Sequence, residues 1–157
     1  MNDAKKVEDS RVETFHIVKP NDLNPAGRLF GGALMQWIDE VAGLVALRHT
    51  GMNVTTASVD DLHFLQSAYL SDIVVLVGRA TYVGNTSMEI RVDTYVETKD
   101  GMRKPINRAY ATVVALDEND KPTPVPRLII EGPSQQMEWE GAKKRREMRA
   151  MRRKEGF

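Results

Sequence analysis

The stretch NPAGRLFGGALMQWIDE, residues 24–40, places a single aspartate, Asp39, in a largely apolar segment that begins at two glycines. Apolar residues recur with the period of an amphipathic helix up to His49, and Gly51 supplies a C-terminal cap. The pattern therefore predicts a helix over residues 31–49. A carboxylate buried in such a helix must be hydrogen-bonded or paired, because an unpartnered buried charge is costly.

Apolar residues cover most of the circumference of this helix. The main stripe contains Leu34, Ile38, Val41, Ala42 and Val45, and its flanks contain Met35, Ala46, Trp37 and Leu44. Asp39 lies at the edge of the stripe, either as a structural residue bonded to a neighbouring strand or as a functional one. One sheet cannot cover so much of a helix, so we expect a second copy of the chain to help.

The loop before the helix favours a functional interpretation of this region. Gly31 and Gly32 allow backbone N–H groups at a helix N-terminus to approach a ligand closely, and the helix dipole attracts negative charge there. An oxyanion hole requires this arrangement. Asn24 supplies an amide that can donate to a carbonyl or hold a water, although Asn-Pro is also a common turn dipeptide.

The rest of the chain is predicted to be mainly β. A first strand is indicated at residues 11–18, and β-branched runs separated by turn residues indicate four more, at 53–66, 72–83, 86–97 and 107–117. The run at 86–97 alternates apolar and charged residues, which is typical of a sheet with one solvated face. We expect an α+β domain in which one long helix is covered by one antiparallel sheet, with the last four strands in a meander.

Composition limits the function further. The 157 residues contain no cysteine, which excludes disulfides, a thiol nucleophile and thiolate metal sites. A net charge of zero argues against a general nucleic-acid binder. Residues 1–14 do not resemble a targeting peptide and the apolar run 29–47 is interrupted by polar residues, so we expect a cytoplasmic protein without a membrane segment. The spacing of the three histidines, His16, His49 and His63, indicates no metal site.

Positive charge is concentrated at the C-terminus. Residues 138–157 contain eight lysines or arginines against four glutamates, so we divide the chain into a domain at 1–137 and a basic, helical tail at 138–157. The tail is either a solvated terminal helix or an arm that attracts an anionic ligand. In the second case, deleting it should raise KM for a phosphorylated substrate and leave kcat nearly unchanged.

Four motifs point to a known family. They are the run PNDLNPAGRLFGGALMQWID at 20–39, A-x-R-H at 46–49, V-D-x-x-x-F at 59–64 and V-G-x-T-S-M-E at 83–89. In order and spacing they resemble the hotdog-fold acyl-CoA thioesterases of the acyl-CoA hydrolase family, over roughly residues 11–130. The resemblance implies a long central helix wrapped by a curved antiparallel sheet, dimers paired edge to edge, and often a trimer of dimers.

The resemblance also implies a site. It places Asn24 of one protomer and Asp39 of the other at the dimer interface as the catalytic pair, with the oxyanion hole at Gly31 and Gly32. The expected reaction is hydrolysis of acyl-CoA without a cofactor, with Asp39 as general base or nucleophile. Contacts with the substrate or its CoA portion are expected from Phe64, Gly84, Thr86, Ser87, Arg145 and Arg146.

Two alternatives remain open, and one departure from the family is visible. A hotdog hydratase or dehydratase would need a histidine at the site, and a non-catalytic acyl-CoA sensor would use the tail as an interaction arm. Ser67 and Ser71 stand where the family usually has proline and glycine. We expect the fold to tolerate this change, and the turn beside the pantetheine tunnel to differ.

Overall fold

The central helix forms as its sequence predicts. The computed structural model describes residues 3–60 and 62–157; the N-terminal residues 1–2 and Asp61, which belongs to the predicted strand 53–66, lie outside them. Helix α1 spans Gly31–Thr50 and ends at Gly51, whose φ of 66° is left-handed and whose N–H donates to the carbonyl of Leu47 at 2.8 Å. The glycine cap thus ends the helix one residue after the predicted boundary.

The strands of the described residues form one curved five-stranded sheet and one short parallel pair. They are β1 (Lys5–Lys6), β2 (Val12–Ile17), β3 (Asn53–Asp60), β4 (Ile73–Val83), β5 (Ser87–Glu97), β6 (Arg103–Leu116) and β7 (Leu128–Ile129). Short 3₁₀ turns precede and follow β2, at Val7–Ser10 and Pro20–Asp22. The main sheet is antiparallel in the order β2-β4-β5-β6-β3, and β1 pairs with β7.

The predicted four-strand meander is wrong in one respect. Strands β4, β5 and β6 are consecutive neighbours, but β3 lies at the far edge, where it pairs with β6. Helix α1 connects β2 to β3 across the sheet, so the chain re-enters at the opposite edge, and the next strand, β4, lies beside β2 again. Strand β3 also ends at Asp60, before the predicted boundary at 66.

The core lies between α1 and the concave face of the sheet. All five residues of the predicted stripe are at most 1% exposed: Leu34, Ile38, Val41, Ala42 and Val45. Gly78 on β4 permits this close packing, because a Cβ there would lie 2.6 Å from Val41 Cγ1. Met35, Leu44 and Leu47 remain 44–48% exposed on the other side of α1. One chain therefore leaves part of the apolar helix surface uncovered.

The convex face of the sheet is not solvated as predicted. Helix α2 spans Gly132–Glu155, starts before the predicted tail boundary, and packs on β4 with Ala142 buried. Glu89 and Asp93 point to this face and are only 2% and 4% exposed. The tail is therefore packed on the sheet along one face around Ala142, above the charged strand residues, while residues 151–157 are exposed.

The turn before β4 explains one departure noted in the sequence. Ser71 adopts a φ of 70°, in the left-handed region that favours glycine. Its N–H donates to the carbonyl of Val18 at 2.9 Å, which holds the turn against β2. The serine thus adopts the conformation that a glycine takes more readily.

Among the helices of the described residues, none is long and apolar enough to cross a membrane.

Candidate active site

The loop before α1 is organised by Asn24. Its Oδ1 accepts hydrogen bonds from the backbone N–H groups of Ala26 at 3.0 Å and Arg28 at 3.1 Å. Only the oxygen of a side-chain amide can accept, so these bonds fix its orientation and leave the Nδ2 hydrogens as donors for another group. Asn24 is therefore both the turn residue and a candidate donor, and the two interpretations of the sequence are compatible.

The N-terminus of α1 presents backbone donors. The N-cap residue, Phe30, makes no side-chain capping bond, and the first N–H groups of a helix have no intrahelical acceptor. A Cβ on Gly32 would collide with the ring of Phe30, and one on Gly31 would lie 3.4 Å from Phe64 Cζ. With the Phe30 ring in this position, only a glycine fits at residue 32, whereas a Cβ at residue 31 would make an ordinary contact. The resulting N–H groups can bind a carbonyl oxygen as it becomes negative.

A cleft of about 270 Å³ brings several predicted residues together. Its lining includes Asn24, Gly31 and Phe64, together with Ser67, the residue that replaces the family's proline. Apolar side chains such as Leu34 complete the wall. The cleft therefore combines a few polar groups with an apolar surface, as small-molecule sites in proteins usually do.

Asp39 lies elsewhere on α1. In the single chain it is exposed rather than buried, and its Oδ1 accepts a hydrogen bond of 2.6 Å from Thr56 Oγ1 on β3. This bond fixes the direction in which the carboxylate points. We did not predict Thr56, because a threonine in a β-branched run is ordinary strand composition.

The Gly31 amide and the Asp39 carboxylate lie far apart along α1. Asp39 follows Gly31 by two turns, which at 1.5 Å per residue is about 12 Å along the axis. The donors to a thioester carbonyl and the base that activates its attacking water must lie within a few ångströms of the same carbon. Asp39 is therefore too far along the helix from the Gly31 amide of its own chain to act on the same carbon.

A second, basic groove of about 500 Å³ lies between α2 and the far edge of the sheet. We call it the arginine groove, and its lining includes Arg146, Arg149, Arg152, Arg153, Asp60, Thr86 and Ser87. Gly84 adjoins it, because a Cβ there would collide with the Arg146 guanidinium. Three predicted substrate contacts, Thr86, Ser87 and Arg146, are thus brought together.

Arg145 points in another direction. Its Nε and Nη2 donate to the two carboxylate oxygens of Glu89 at 2.9 and 2.8 Å, and its guanidinium lies 3.6 Å from the ring centroid of Tyr110. The geometry favours a structural role for this arginine, which attaches α2 to β5. Its assignment to substrate binding stays a sequence prediction without geometric support.

The histidines take no part in either cavity. His49 is fully buried, its Nε2 donates to the carbonyl of Pro126 at 2.8 Å, and burial lowers its pKa. His16 stacks on Trp37 with ring centroids 4.2 Å apart. Neither these nor His63 line the cleft around Asn24. Within residues 3–60 and 62–157, no group of three or more potential ligands is placed to hold a metal ion.

The sequence profile of the thioesterase superfamily matches residues 26–102, which include Gly31 and Gly32 at the start of α1, Asp39 and Thr56. An uncharacterized acyl-CoA thioester hydrolase of Bacillus subtilis is 40% identical over 125 residues, covering 79% of this chain and 73% of that protein. The chain belongs to the thioesterase superfamily. The resemblance read from its four motifs is therefore confirmed.

One relative is much longer than this chain, and a solved relative has nearly the same length. The rat cytosolic acyl coenzyme A thioester hydrolase is 36% identical over 143 residues, which are 88% of this chain but only 37% of the rat protein. A hexameric acyl-CoA thioesterase solved without ligand aligns with a TM-score of 0.91 at 36% identity, covering 96% of this chain and 97% of that one. The hotdog fold is thus shared along almost the whole chain.

A second solved structure bears on the site. The acyl-CoA hydrolase of Staphylococcus aureus, in complex with butyryl coenzyme A, coenzyme A and its disulfide, aligns with a TM-score of 0.91 at 34% identity, covering 98% of this chain and 94% of that one. That enzyme was also solved with an asparagine, an aspartate or a threonine replaced by alanine. The three replaced positions are 15 and 17 residues apart in its sequence.

Proposed function

We propose that this chain hydrolyses acyl-CoA thioesters to a carboxylic acid and CoA, in a site shared between two protomers. Two features support this most strongly: Asn24 and Gly31 line one cleft, and elsewhere on α1 Thr56 fixes the carboxylate of Asp39. Asn24, Asp39 and Thr56 repeat the 15- and 17-residue spacing of the positions replaced in the Staphylococcus aureus hydrolase.

The chemistry follows from these groups. The amides at Gly31 and Gly32 hydrogen-bond the thioester oxygen and stabilise the oxyanion, while Asn24 positions that oxygen or a water. As general base, Asp39 takes a proton from water, whose oxygen attacks the carbonyl carbon; the C–S bond then breaks and the CoA thiolate takes that proton from Asp39. As nucleophile, Asp39 would instead attack the carbonyl carbon, break the C–S bond to release the CoA thiolate and form an anhydride, which water then hydrolyses, supplying the thiolate's proton. Neither route needs a cofactor.

We propose a dimer as the minimal active unit and a trimer of dimers as the full assembly. Strands β2 and β3 are the two edges of the main sheet, so either can extend it into a neighbour. The exposed Met35, Leu44 and Leu47 on α1 provide apolar surface for a second chain. Two further solved relatives, from Yersinia pestis and the protein HI0827, are described as hexameric.

Mixing inactive chains tests the shared site. Asn24→Ala and Asp39→Ala chains should each be inactive, but refolding them together should restore activity. Random pairing makes about half of the dimers mixed, and each mixed dimer has one complete site, so about a quarter of the wild-type activity should return. Thiol release from acyl-CoA measures it. Mixing the folded chains without exchange is the control, and no recovery in mixed dimers verified by mass would contradict the shared site.

The arginine groove is proposed to bind the phosphates of CoA. Thr86, Ser87 and Arg146 line it, and arginine suits phosphate because its planar fork donates two hydrogen bonds at once. Truncating 138–157 is no longer a suitable test, because it would also remove Arg145 from the buried Glu89. A point substitution in the groove is required instead.

Arg146→Gln should raise KM for an acyl-CoA about 3- to 10-fold and leave kcat nearly unchanged, because the lost contact is to the phosphates and not to the thioester. KM for the corresponding acyl-pantetheine, which lacks these phosphates, should not change. Lys143→Gln makes the same charge change on an exposed part of α2 and is the matched control. Equal effects on both substrates would contradict phosphate binding in the groove.

Thiol release from a panel of acyl-CoAs separates the proposed activity from its rivals. A sensor would bind acyl-CoA without releasing thiol, and a hydratase would act on the acyl chain without releasing CoA. The absence of a histidine from the cleft lining supports hydrolysis over hydration.

We propose the cytoplasm as the location, which the cytosolic rat relative supports.

A further inference from the structure

The arginine groove contains a carboxylate of its own. Asp60, at the end of β3, accepts a hydrogen bond from Arg149 Nη1 at 2.8 Å on one oxygen and from Arg152 Nη2 at 3.4 Å on the other. The side chains of Asp60 and Arg149 are 15% and 16% exposed, so this pair is well shielded from water. Two oxygens of one acid are therefore divided between two arginines from successive turns of α2.

A ligand phosphate would need the same donors. Phosphate presents several strongly accepting oxygens and more negative charge than a carboxylate, and it forms the same kind of charge-assisted bonds with guanidinium groups. Arg146, in contrast, lies 5.7 Å from the ring of Tyr82 and has no bond with Asp60 among the described contacts. Arg146 can thus meet a phosphate directly, whereas Arg149 and Arg152 must first give up a bond to Asp60.

We propose that Asp60 is an internal competitor for the phosphates that enter the groove, an inference that rests on the proposed CoA binding. Asp60 holds Arg149 and Arg152 in position and limits the repulsion among the four arginines. When CoA binds, its phosphates displace the carboxylate. The energy of breaking the Asp60 bonds is subtracted from the binding energy, so Asp60 weakens CoA binding and favours release of the product.

The position of Arg149 makes the proposal testable by substitution. Arg149 Nη1 also lies 3.9 Å from an oxygen of the buried Glu89, so it remains held at the groove when Asp60 loses its charge. Asparagine keeps one acceptor oxygen at position 60 and should preserve the fold. The competitor is then neutralised while the arginines stay in place.

The experiment measures binding of CoA to the full-length assembly by titration calorimetry. Asp60→Asn should lower the Kd of CoA about tenfold, equivalent to about 1.4 kcal/mol, and should make Kd depend more steeply on salt concentration. Inhibition of hydrolysis by CoA should strengthen by the same factor. Inhibition by pantetheine, which has no phosphate, should not change. Thermal unfolding confirms that the variant is folded.

Glu147→Gln is the matched control, since it makes the same charge change on an exposed position of α2. Unchanged or weaker CoA binding by Asp60→Asn would overturn the proposal, because a merely structural acid gives that result. An equal gain in Glu147→Gln would also overturn it, in favour of a general charge effect. If Arg146→Gln changes KM but Asp60→Asn does not tighten CoA, only the competitor role fails. If neither responds, phosphate binding in the groove fails as well.

Discussion

Asp39→Asn should reduce kcat for acyl-CoA hydrolysis by about 10³-fold while leaving the fold intact. Asparagine has nearly the same shape and keeps an oxygen that can accept the hydrogen bond from Thr56 Oγ1. It cannot take a proton from water, and removing a general base typically costs about 10² to 10⁴ in rate. Asp39 is exposed in the single chain, so its replacement leaves no buried charge unpaired. Steady-state thiol release and thermal unfolding measure the two effects.

The neighbouring acid provides the control. Glu40 is also exposed on α1 and accepts a hydrogen bond from Gln36 within the same helix. Glu40→Gln makes an identical charge change one residue away and should retain wild-type kcat. Turnover near that of wild type in a folded Asp39→Asn assembly would exclude Asp39 as base or nucleophile, whatever the state of the oxyanion hole.

The local part of the fold could be read from the sequence. Helix α1 was predicted within one residue because its apolar period and the Gly51 cap are properties of neighbouring residues. The position of β3 was not predictable in the same way. Its pairing with β6 is a contact between distant segments, and alternation along one strand does not specify the neighbour. The family resemblance supplied the overall fold that the strand patterns alone left open.

The sequence also could not predict which residues of α2 face the sheet. Arg145 and Arg146 are adjacent in a basic run, and both were predicted to contact the substrate. On a helix they point about 100° apart, so one reaches Glu89 on the sheet while the other lines the arginine groove. Without a position for the sheet, the sequence could not show that Glu89 was buried or which arginine it would bind.

The residues of the candidate site show the same difference between short-range patterns and contacts of distant segments. Asn24, Gly31 and Phe64 were predicted and line one cavity. The first two stand at the ends of one short loop and all three belong to family motifs, so short-range patterns could indicate them. Thr56 was missed, although it makes the hydrogen bond that orients Asp39. Thr56 reaches Asp39 because β3 packs against α1, and a contact between segments that are distant in sequence leaves no short-range pattern.

The buried pair of Glu89 and Arg145 should behave differently when one partner or both are removed. Arg145→Met keeps an unbranched side chain above Tyr110 but leaves the Glu89 carboxylate, only 2% exposed, without its bidentate partner. Breaking a buried pair typically costs about 3–5 kcal/mol. With roughly 2–4 °C of Tm per kcal/mol at this chain length, Tm should fall by about 6–20 °C.

The double variant Glu89→Met/Arg145→Met should recover most of this loss, because it removes the buried charge together with its partner and fills the space with apolar atoms. Thr81 Oγ1 can still donate to the backbone carbonyl of residue 89, at 3.2 Å, after the side-chain acceptor is gone. Tm must be compared at one protein concentration, since assembly also contributes to stability. A double variant as unstable as Arg145→Met would show that packing around α2, rather than the desolvated charge, determines the loss.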